Sequence, residues 1–459
     1  MRETVPVVQR TLSMRSLNRC ELLVLVLLAQ LLVLLPQVHA QERAPVYEVK
    51  LDWGVTPPAA ALVRRALQEA TAAEAGALIV EVDGGGGVIA TAWSLARDLN
   101  AAKVPIVVWI GPDPVNSGPA GALLLAASGV AAAAPGAQLG FALPLAQAPA
   151  GFSVSTQQLL VDDVVKELTG WQRVHGRNAD WIERAARSGA VIDAARARAL
   201  DPPVVDVVAA TEDELRLALT GRRVPGPGGT TYTLDTAGAP VVAVEPTLLE
   251  SLEQLLAVPT VAFVLFVLGA VAVYLELANP GVSLPGVAGG ILILAALYGF
   301  IQAEVRPLAV LLLVVGLILV GLEHVVLSHG GLTAGGVTLL VLGALWLVDP
   351  ARAPGLGVSP IAISGTALLL IAAVAGLVAF AVRVRSRPPA TGREALVGQI
   401  AEVRRAIDPE GMVYVGGALW SAWSDEGPLP AGELVEVAGI ENLRLYVRRL
   451  DREPSSLNM

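Results

Sequence analysis

The sequence predicts a multidomain membrane protein: an exported α/β domain, a bundle of five membrane-spanning helices, and a small all-β barrel after it. Three observations carry this. Only 16% of the 459 residues are charged, against roughly 25% in soluble globular chains, and the mean hydropathy is +0.62. The apolar residues gather into five stretches in the second half of the chain. On either side of those stretches lie segments with strand and helix spacing, punctuated by Gly and Pro. At about 100–200 residues per domain, the length leaves room for two or three units.

Residues 1–40 have the plan of an export signal. Arg2, Arg10, Arg15 and Arg19 form a basic n-region, Leu22 to Leu35 an apolar core, and Val38-His39-Ala40 a small-residue cleavage pattern. Cleaved or retained as an anchor, it places Gln41 onward outside the cytoplasm.

The soluble domain that follows spans 41–245. Tyr47 to Leu51 alternates as a strand, and Pro57 to Ala73 has helical spacing. Ala77 to Val82 is an apolar strand, followed by Gly84-Gly85-Gly86-Gly87, a helix through Leu99, and a buried-type strand from Val104 to Ile110. Alternation of such strands with helices implies a parallel sheet covered on both faces. Residues 222–243 read as short strand-and-turn material leading to the bilayer.

The bundle spans 258–383, with apolar stretches at 259–277, 285–302, 307–327, 332–348 and 359–382. A span needs about 17–25 residues. Asn279-Pro280-Gly281, Arg306-Pro307, His329-Gly330-Gly331 and Asp349-Pro350 supply the stops, and small residues within the spans allow close helix approach. Glu276 and Glu323 stand at span ends, as interfacial carboxylates. Five crossings from an exported domain put the C-terminus inside, and Arg383, Arg385, Arg387 and Arg393 after the last span agree with the positive-inside rule. Residues 395–450 hold about five short strands with Gly and Pro turns, the pattern of a small closed barrel such as an OB-fold.

Composition excludes several chemistries. The net charge of -9 gives no electrostatic reason for nucleic-acid binding. Trp420, Trp423 and Tyr446 are stacking residues by type, but acidic neighbours surround them and the two tryptophans share one strand. The single cysteine, Cys20, lies in the export segment, and only His175 falls in the first domain. No thiolate site, zinc site or Ser-His-Asp triad is expected, and no cofactor.

Three segments in order resemble the NfeD family of membrane proteins, in the long form with an N-terminal ClpP-like serine protease domain. The last domain carries G-Q-I-A-E-V from Gly398, D-P-E-G-M-V-Y-V-G-G-A-L-W from Asp408 and G-I-E-N-L-R-L-Y-V from Gly439. The bundle carries Glu276-Leu277-Ala278-Asn279-Pro280-Gly281 and Leu284-Pro285-Gly286. The first domain carries Val104-Pro105, Ala134-Pro135-Gly136-Ala137-Gln138-Leu139-Gly140 and His175-Gly176-Arg177-Asn178-Ala179. The resemblance implies a ClpP/crotonase-like α/β fold and an OB-fold barrel. It also implies a serine nucleophile with a lysine base, because a serine hydroxyl is a poor nucleophile until a base takes its proton.

This chain departs from that pattern. The family's S-A-G step here reads Pro119-Ala120-Gly121, and the family lysine position, counted back from the G-R-N step, is Leu159. The lysines are Lys50, Lys103 and Lys166. Lys166 lies about 10.5 Å beyond Leu159 along a helix, at roughly 1.5 Å per residue, and Ser117 lies in the turn before Pro119. A displaced Ser117–Lys166 pair is the remaining catalytic candidate; otherwise Ser117 is a turn residue and Lys166 a solvated one. Gly86 and Gly87 match the glycine pair that lines an oxyanion hole or peptide edge in the family, although the proline before it is replaced by Gly85. An ordinary strand-to-helix turn would favour the same glycines.

Two function classes follow. One is a degenerate protease domain that binds peptide or a membrane-protein segment, in a scaffold for a stomatin- or flotillin-like partner in membrane organisation or quality control. The other is an active endopeptidase cutting hydrophobic segments. Membrane lipid and further copies of the chain, as a homo-oligomer, complete the expected partners. A transporter is disfavoured, because the spans lack polar residues and broken-helix pairs.

Overall fold

The computed structural model describes residues 43–112, 115–140, 154–226, 229–278, 284–323, 325–326, 328, 330–385 and 393–450. Residues 1–40, read above as an export signal, lie outside these residues. The first domain begins β1 (Val46–Leu51), α1 (Pro57–Ala72), β2 (Ala77–Val82), α2 (Ile89–Asn100), β3 (Ile106–Ile110), α3 (Gly118–Ala127) and β4 (Val130–Ala133). It continues β5 (Gln138–Gly140), α4 (Val154–Val174), α5 (Ala179–Ser188), β6 (Val191–Asp193), α6 (Ala194–Ala199) and β7 (Val207–Val208). After α7 (Glu212–Leu219) come β8 (Arg223–Pro225), β9 (Thr231–Thr233) and β10 (Val241–Ala243).

The main sheet has the order β10-β1-β2-β3-β4-β7 and is parallel throughout. Every residue of β2 and β3 is buried, which is why these strands read as apolar runs and not as alternation. Helix α1 turns Ala59, Leu62, Val63, Ala66 and Ala70 into this core, the spacing of one helical stripe. Helix α3 is buried at every position but Pro119. The tail of the domain differs from expectation. Residues 222–243 do more than lead to the bilayer: β10 adds to the sheet beside β1, Val46 opposite Val241. The chain is therefore fastened to the sheet immediately before α8 (Leu248–Leu256). That helix opens with a Thr247–Glu250 capping box, and Arg65 of α1 pairs with Glu250 at 2.9 Å. Leu248, Leu249, Leu252 and Leu255 of α8 are exposed.

Five apolar helices follow: α9 (Pro259–Ala278), α10 (Leu284–Gln302), α11 (Pro307–Leu322), α12 (Gly331–Leu345) and α13 (Pro360–Arg385). Residues Pro259–Leu277 and Leu284–Gln302 are long and apolar enough to cross a membrane, with mean hydropathy 2.3 and 2.0. Helices α11 and α12 have 16 and 15 residues, shorter than the apolar stretches 307–327 and 332–348. At ~1.5 Å per residue they reach about 24 and 22 Å, against a hydrocarbon core of about 30 Å. Polar groups end them early. The Glu323 carboxylate accepts the backbone N–H groups of Gly330 and Thr333, both at 2.9 Å, and so stops α11 and caps α12. At the other end of α12, Leu347 O accepts the Arg306 amide, and Arg306 pairs with Asp349 at 3.0 Å.

The first four of these helices form two hairpins built alike. In the first, a Cβ on Gly289 would meet Gly269 O at 2.5 Å and the Val273 side chain at 2.9 Å. In the second, a Cβ on Gly336 would meet Gly316 O at 2.6 Å and the Val320 side chain at 2.7 Å. Backbones this close need glycine at the crossing. In each hairpin a glutamate closes the far end: Glu276 accepts Gly286 N–H at 2.8 Å, as Glu323 accepts Thr333. The same interval separates every matched position, and both hairpins read G-x-x-x-V-x-L-E, from Gly269 and from Gly316. The bundle contains an internal repeat.

The last domain consists of β11 (Ile400–Arg405), β12 (Glu410–Val415), β13 (Ala418–Trp423), β14 (Leu434–Glu441) and β15 (Arg444–Arg449). They close into a barrel in the order β11-β12-β13-β15-β14, with β13 and β15 parallel. Ala401, Val403, Val413, Val435, Val437, Leu445 and Val447 fill it, alternate residues of each strand, as the pleat requires. Trp423 packs against Tyr446, ring centroids 4.7 Å apart.

Candidate functional site

Beyond β2 the chain runs through Gly84–Gly87, bending at Gly85, beside Gly54 and Val55. Gly86 O accepts the Val55 amide at 3.0 Å, and Val55 O accepts the Val88 amide at 2.9 Å. The N-terminal turn of α3 stands on the other side of this run. There the Gly118 amide donates to Asn116 Oδ1 at 3.0 Å, and Gly118 adopts φ +55°, a left-handed conformation that favours glycine. A Cβ on Gly118 would fall 1.7 Å from Gly85 O, and one on Gly87 would fall 2.7 Å from the Ala120 side chain. The fold thus brings Gly85–Gly87 against the turn that carries Ser117 and Pro119. Only glycine permits an approach this close.

The side chains of a protease are a different matter. Pro119 sits in the first turn of α3, where its missing N–H costs nothing, and it has no nucleophile to offer. Ser117 is fully buried at the N-cap of α3. Its hydroxyl donates to Gly118 O at 3.1 Å and accepts the Gly140 amide at 3.2 Å, tying β5 to α3. Leu159 and Lys166 both lie on α4; Lys166 is exposed, and its carbonyl accepts the Thr169 hydroxyl. Ser117 therefore uses its hydroxyl within the fold and makes no hydrogen bond to Lys166.

Two charged clusters lie elsewhere in the domain. The His175–Ala179 motif is built around Arg177. Its guanidinium is 2.8 Å from the Asp206 carboxylate and donates to Ser128 O at 2.9 Å, while Asn178 caps α5 through the Trp181 amide. His175 beside it is pushed down to about 4, by burial first and then by the Arg177 charge. At the C-terminal end of the sheet Lys50 pairs with Glu81 at 3.1 Å and Glu212 at 2.8 Å, and Arg216 pairs with Glu48 at 3.0 Å. Burial raises Glu81 to about 7, while Lys50 holds Glu212 ionised. These pairs, in which Lys50 and Arg216 serve Glu48, Glu81 and Glu212, lock α7 to β1 and β2. Among the described residues, no group of three His, Cys, Asp or Glu side chains is placed to hold a metal.

What the residue pattern did not reveal is what covers the glycine run. Gly87 N–H donates to Pro354 O at 3.1 Å, and Ile89 N–H to Arg352 O at 2.8 Å. Both acceptors belong to the α12–α13 connection, and nothing in their residue types marks them as partners of the first domain.

Comparison with known proteins adds the following. Residues 260–384 match the NfeD integral membrane domain, and residues 393–449 match the NfeD-like C-terminal, partner-binding domain. Over 385 residues the chain is 25% identical to the membrane-bound protease PH1510 of Pyrococcus horikoshii, covering 82% of this chain and 87% of that protein. Among solved structures, a mutant of the 1510-N membrane-bound stomatin-specific protease covers 45% of this chain and 99% of its own, at 22% identity and a TM-score of 0.40. The C-terminal domain of the stomatin operon partner protein 1510-C from Pyrococcus horikoshii covers 13% of this chain and 95% of its own, at 41% identity and a TM-score of 0.13.

Proposed function

We propose that this chain, which belongs to the NfeD family of membrane proteins, binds peptide through its first domain without cutting it. The whole protein then acts as a scaffold for a stomatin- or flotillin-like partner in membrane organisation or quality control. One observation carries the first part. The nucleophile position is Pro119, and the nearby serine, Ser117, is buried with its hydroxyl engaged by Gly118 and Gly140. A general base must come within hydrogen-bond reach of the proton it takes, and Lys166 is exposed elsewhere on α4. Strand addition by an extended peptide draws on main-chain donors such as the Gly87 amide, here paired within the chain, and needs no catalytic side chain.

The partner class is taken from the family resemblance. The description of the matched C-terminal domain as partner-binding supports it. We assign 1–40 as an export signal, 41–245 as the exported domain, 258–383 as a five-span bundle and 395–450 as an OB-fold domain on the cytoplasmic side. Pairings between helix ends support five crossings. Thr260, at the start of α9, bonds Gly357 O and the Ser359 amide, and Arg306 bonds Asp349. Glu276 and Glu323 make the opposite turns. Each contact joins ends that five crossings leave on one side. The barrel's strand order, with β15 between β13 and β14, supports the OB-fold assignment.

The rival reading, an active endopeptidase, is favoured by one observation: the relative that aligns with 82% of this chain is a membrane-bound protease. Purified full-length protein incubated with an apolar peptide separates the two. The scaffold reading expects no turnover above blank and no effect of Ser117→Ala. Turnover abolished by Ser117→Ala overturns it. For the partner, a tagged chain should bring down a stomatin-like protein from membranes, and deletion of 395–450 should abolish that.

A further inference from the structure

The edge of the glycine run that would receive a peptide is occupied by another part of the same chain. Gly87 and Ile89, two residues apart, donate to Pro354 O and Arg352 O, two residues apart in the opposite direction. The two bonds set a turn of the chain against the start of α2 and occupy two amides that an added peptide strand would need. The added segment serves only as an acceptor. Pro354 has no N–H, and the Arg352 amide is spent on Asp349 O at 3.0 Å. Its Pro354 carbonyl thus sits on the Gly87 amide, the group to which the family resemblance gives the oxyanion or peptide-binding role.

The contact is backbone on backbone. Gly355 adopts φ +75°; a Cβ there would meet Gly85 O and Gly86 Cα, each at 2.8 Å, and a Cβ on Gly86 would meet the Gly355 carbonyl carbon at 3.0 Å. The segment is also anchored. Ala353 is fully buried. The Asp349 carboxylate accepts the Ala351 amide and pairs with Arg306 at the start of α11. Gly357 and Ser359 are bonded to Thr260 at the start of α9. The segment is therefore tied to the same ends of three apolar helices, α9, α11 and α13.

We infer that the Arg352–Gly355 segment is an intramolecular occupant of the peptide edge, which keeps the site closed until its anchors on the helix ends are released. This rests on reading that edge as a peptide site. A tethered occupant competes at an effective concentration in the millimolar range, so a dilute peptide meets a blocked site. Displacement of α9, α11 or α13 would withdraw the segment and expose the Gly87 and Ile89 donors together.

The test uses the full chain in detergent micelles, with Gly355→Val to wedge the backbones apart and Asp349→Ala to cut an anchor without touching the backbone contact. Hydrogen exchange, read by mass spectrometry, should find Gly87 and Ile89 slow in the parent. Both variants should accelerate them at least about tenfold, while β2 and β3 amides stay protected and report an intact fold. A fluorescent apolar peptide should bind both variants at least about tenfold tighter than the parent. Fast exchange at Gly87 and Ile89 in the parent overturns the inference, as does peptide binding of equal strength in parent and variants. Protection released by the variants with no peptide bound to any of them upholds the occupancy and sinks the peptide reading instead.

Discussion

Arg177→Met removes the cation from the buried cluster that ties α3, β4 and the segment before β7 together. The Arg177 side chain is 1% exposed and that of Asp206 17%. The guanidinium donates to the Asp206 carboxylate and Ser128 O, each at 2.9 Å, and to Leu125 O at 3.4 Å. Methionine replaces much of the stem, so the loss is mainly electrostatic. Asp206 keeps the Ala131 amide at 2.8 Å, but it loses its counter-charge, and Ser128 O loses the guanidinium donor, while Leu125 O keeps the Ser128 hydroxyl at 2.7 Å. Removing one member of a buried pair costs about 3–5 kcal/mol. At about 2–4 °C per kcal/mol for a domain of this size, the melting temperature of the first domain should fall by roughly 6–20 °C. The assay is thermal unfolding of the detergent-solubilised chain, followed by tryptophan emission, with Trp109 and Trp171 buried in that domain. Arg177→Met with Asp206→Leu should recover part of the loss, leaving about 1–3 kcal/mol for the orphaned Ala131 amide. A single-variant shift below about 2 °C, or a double variant less stable than the single one, would refute the reasoning.

Other outcomes can be checked in the same preparation. Gly118→Ala should destabilise the first domain by at least the ~1–3 kcal/mol of a forced left-handed residue, because its Cβ would overlap Gly85 O; loss of a protease-resistant domain is the readout. His175 is held at about 4 by burial, against about 6.5 in an unfolded chain. The unfolded state therefore takes up the proton first. The His175 contribution to stability is flat above about pH 6.5 and declines as pH falls toward 4. His175→Phe should flatten that part of the melting-temperature profile, and an unchanged slope would contradict the assignment. In the bundle, Gly289→Val places a methyl-bearing carbon where Cβ meets Gly269 O at 2.5 Å, whereas Gly290 has nothing within 4 Å. Limited proteolysis should find the first hairpin loosened by the Gly289 change and unaffected by Gly290→Val.

Much of the architecture was legible because it follows from local rules. The apolar run Ala77–Val82 became a central strand, the stripe on Pro57–Ala72 became a covering helix, and the five apolar stretches became five helices. The bundle's repeat was also legible, since G-x-x-x-V-x-L-E occurs at Gly269 and Gly316, but it shows only when the two hairpins are laid side by side. The role of Arg177 was half legible. The motif drew notice, while its partner Asp206 is an ordinary acidic residue in sequence.

By itself, then, the sequence determined the apolar or polar character of each segment, the period of each element, and that a proline, Pro119, opens the Pro-Ala-Gly step. Those are properties of side chains, and side chains are what a sequence states. Only the tertiary structure decided that β10 returns to β1, that Ser117 is buried between Gly118 and Gly140, and that Pro354 and Arg352 take the donors of Gly87 and Ile89. These contacts are made by main-chain N–H and C=O groups, which nearly every residue carries alike. Where such groups meet across long stretches of chain, residue identity shows only that glycine permits the approach, and packing selects the partner.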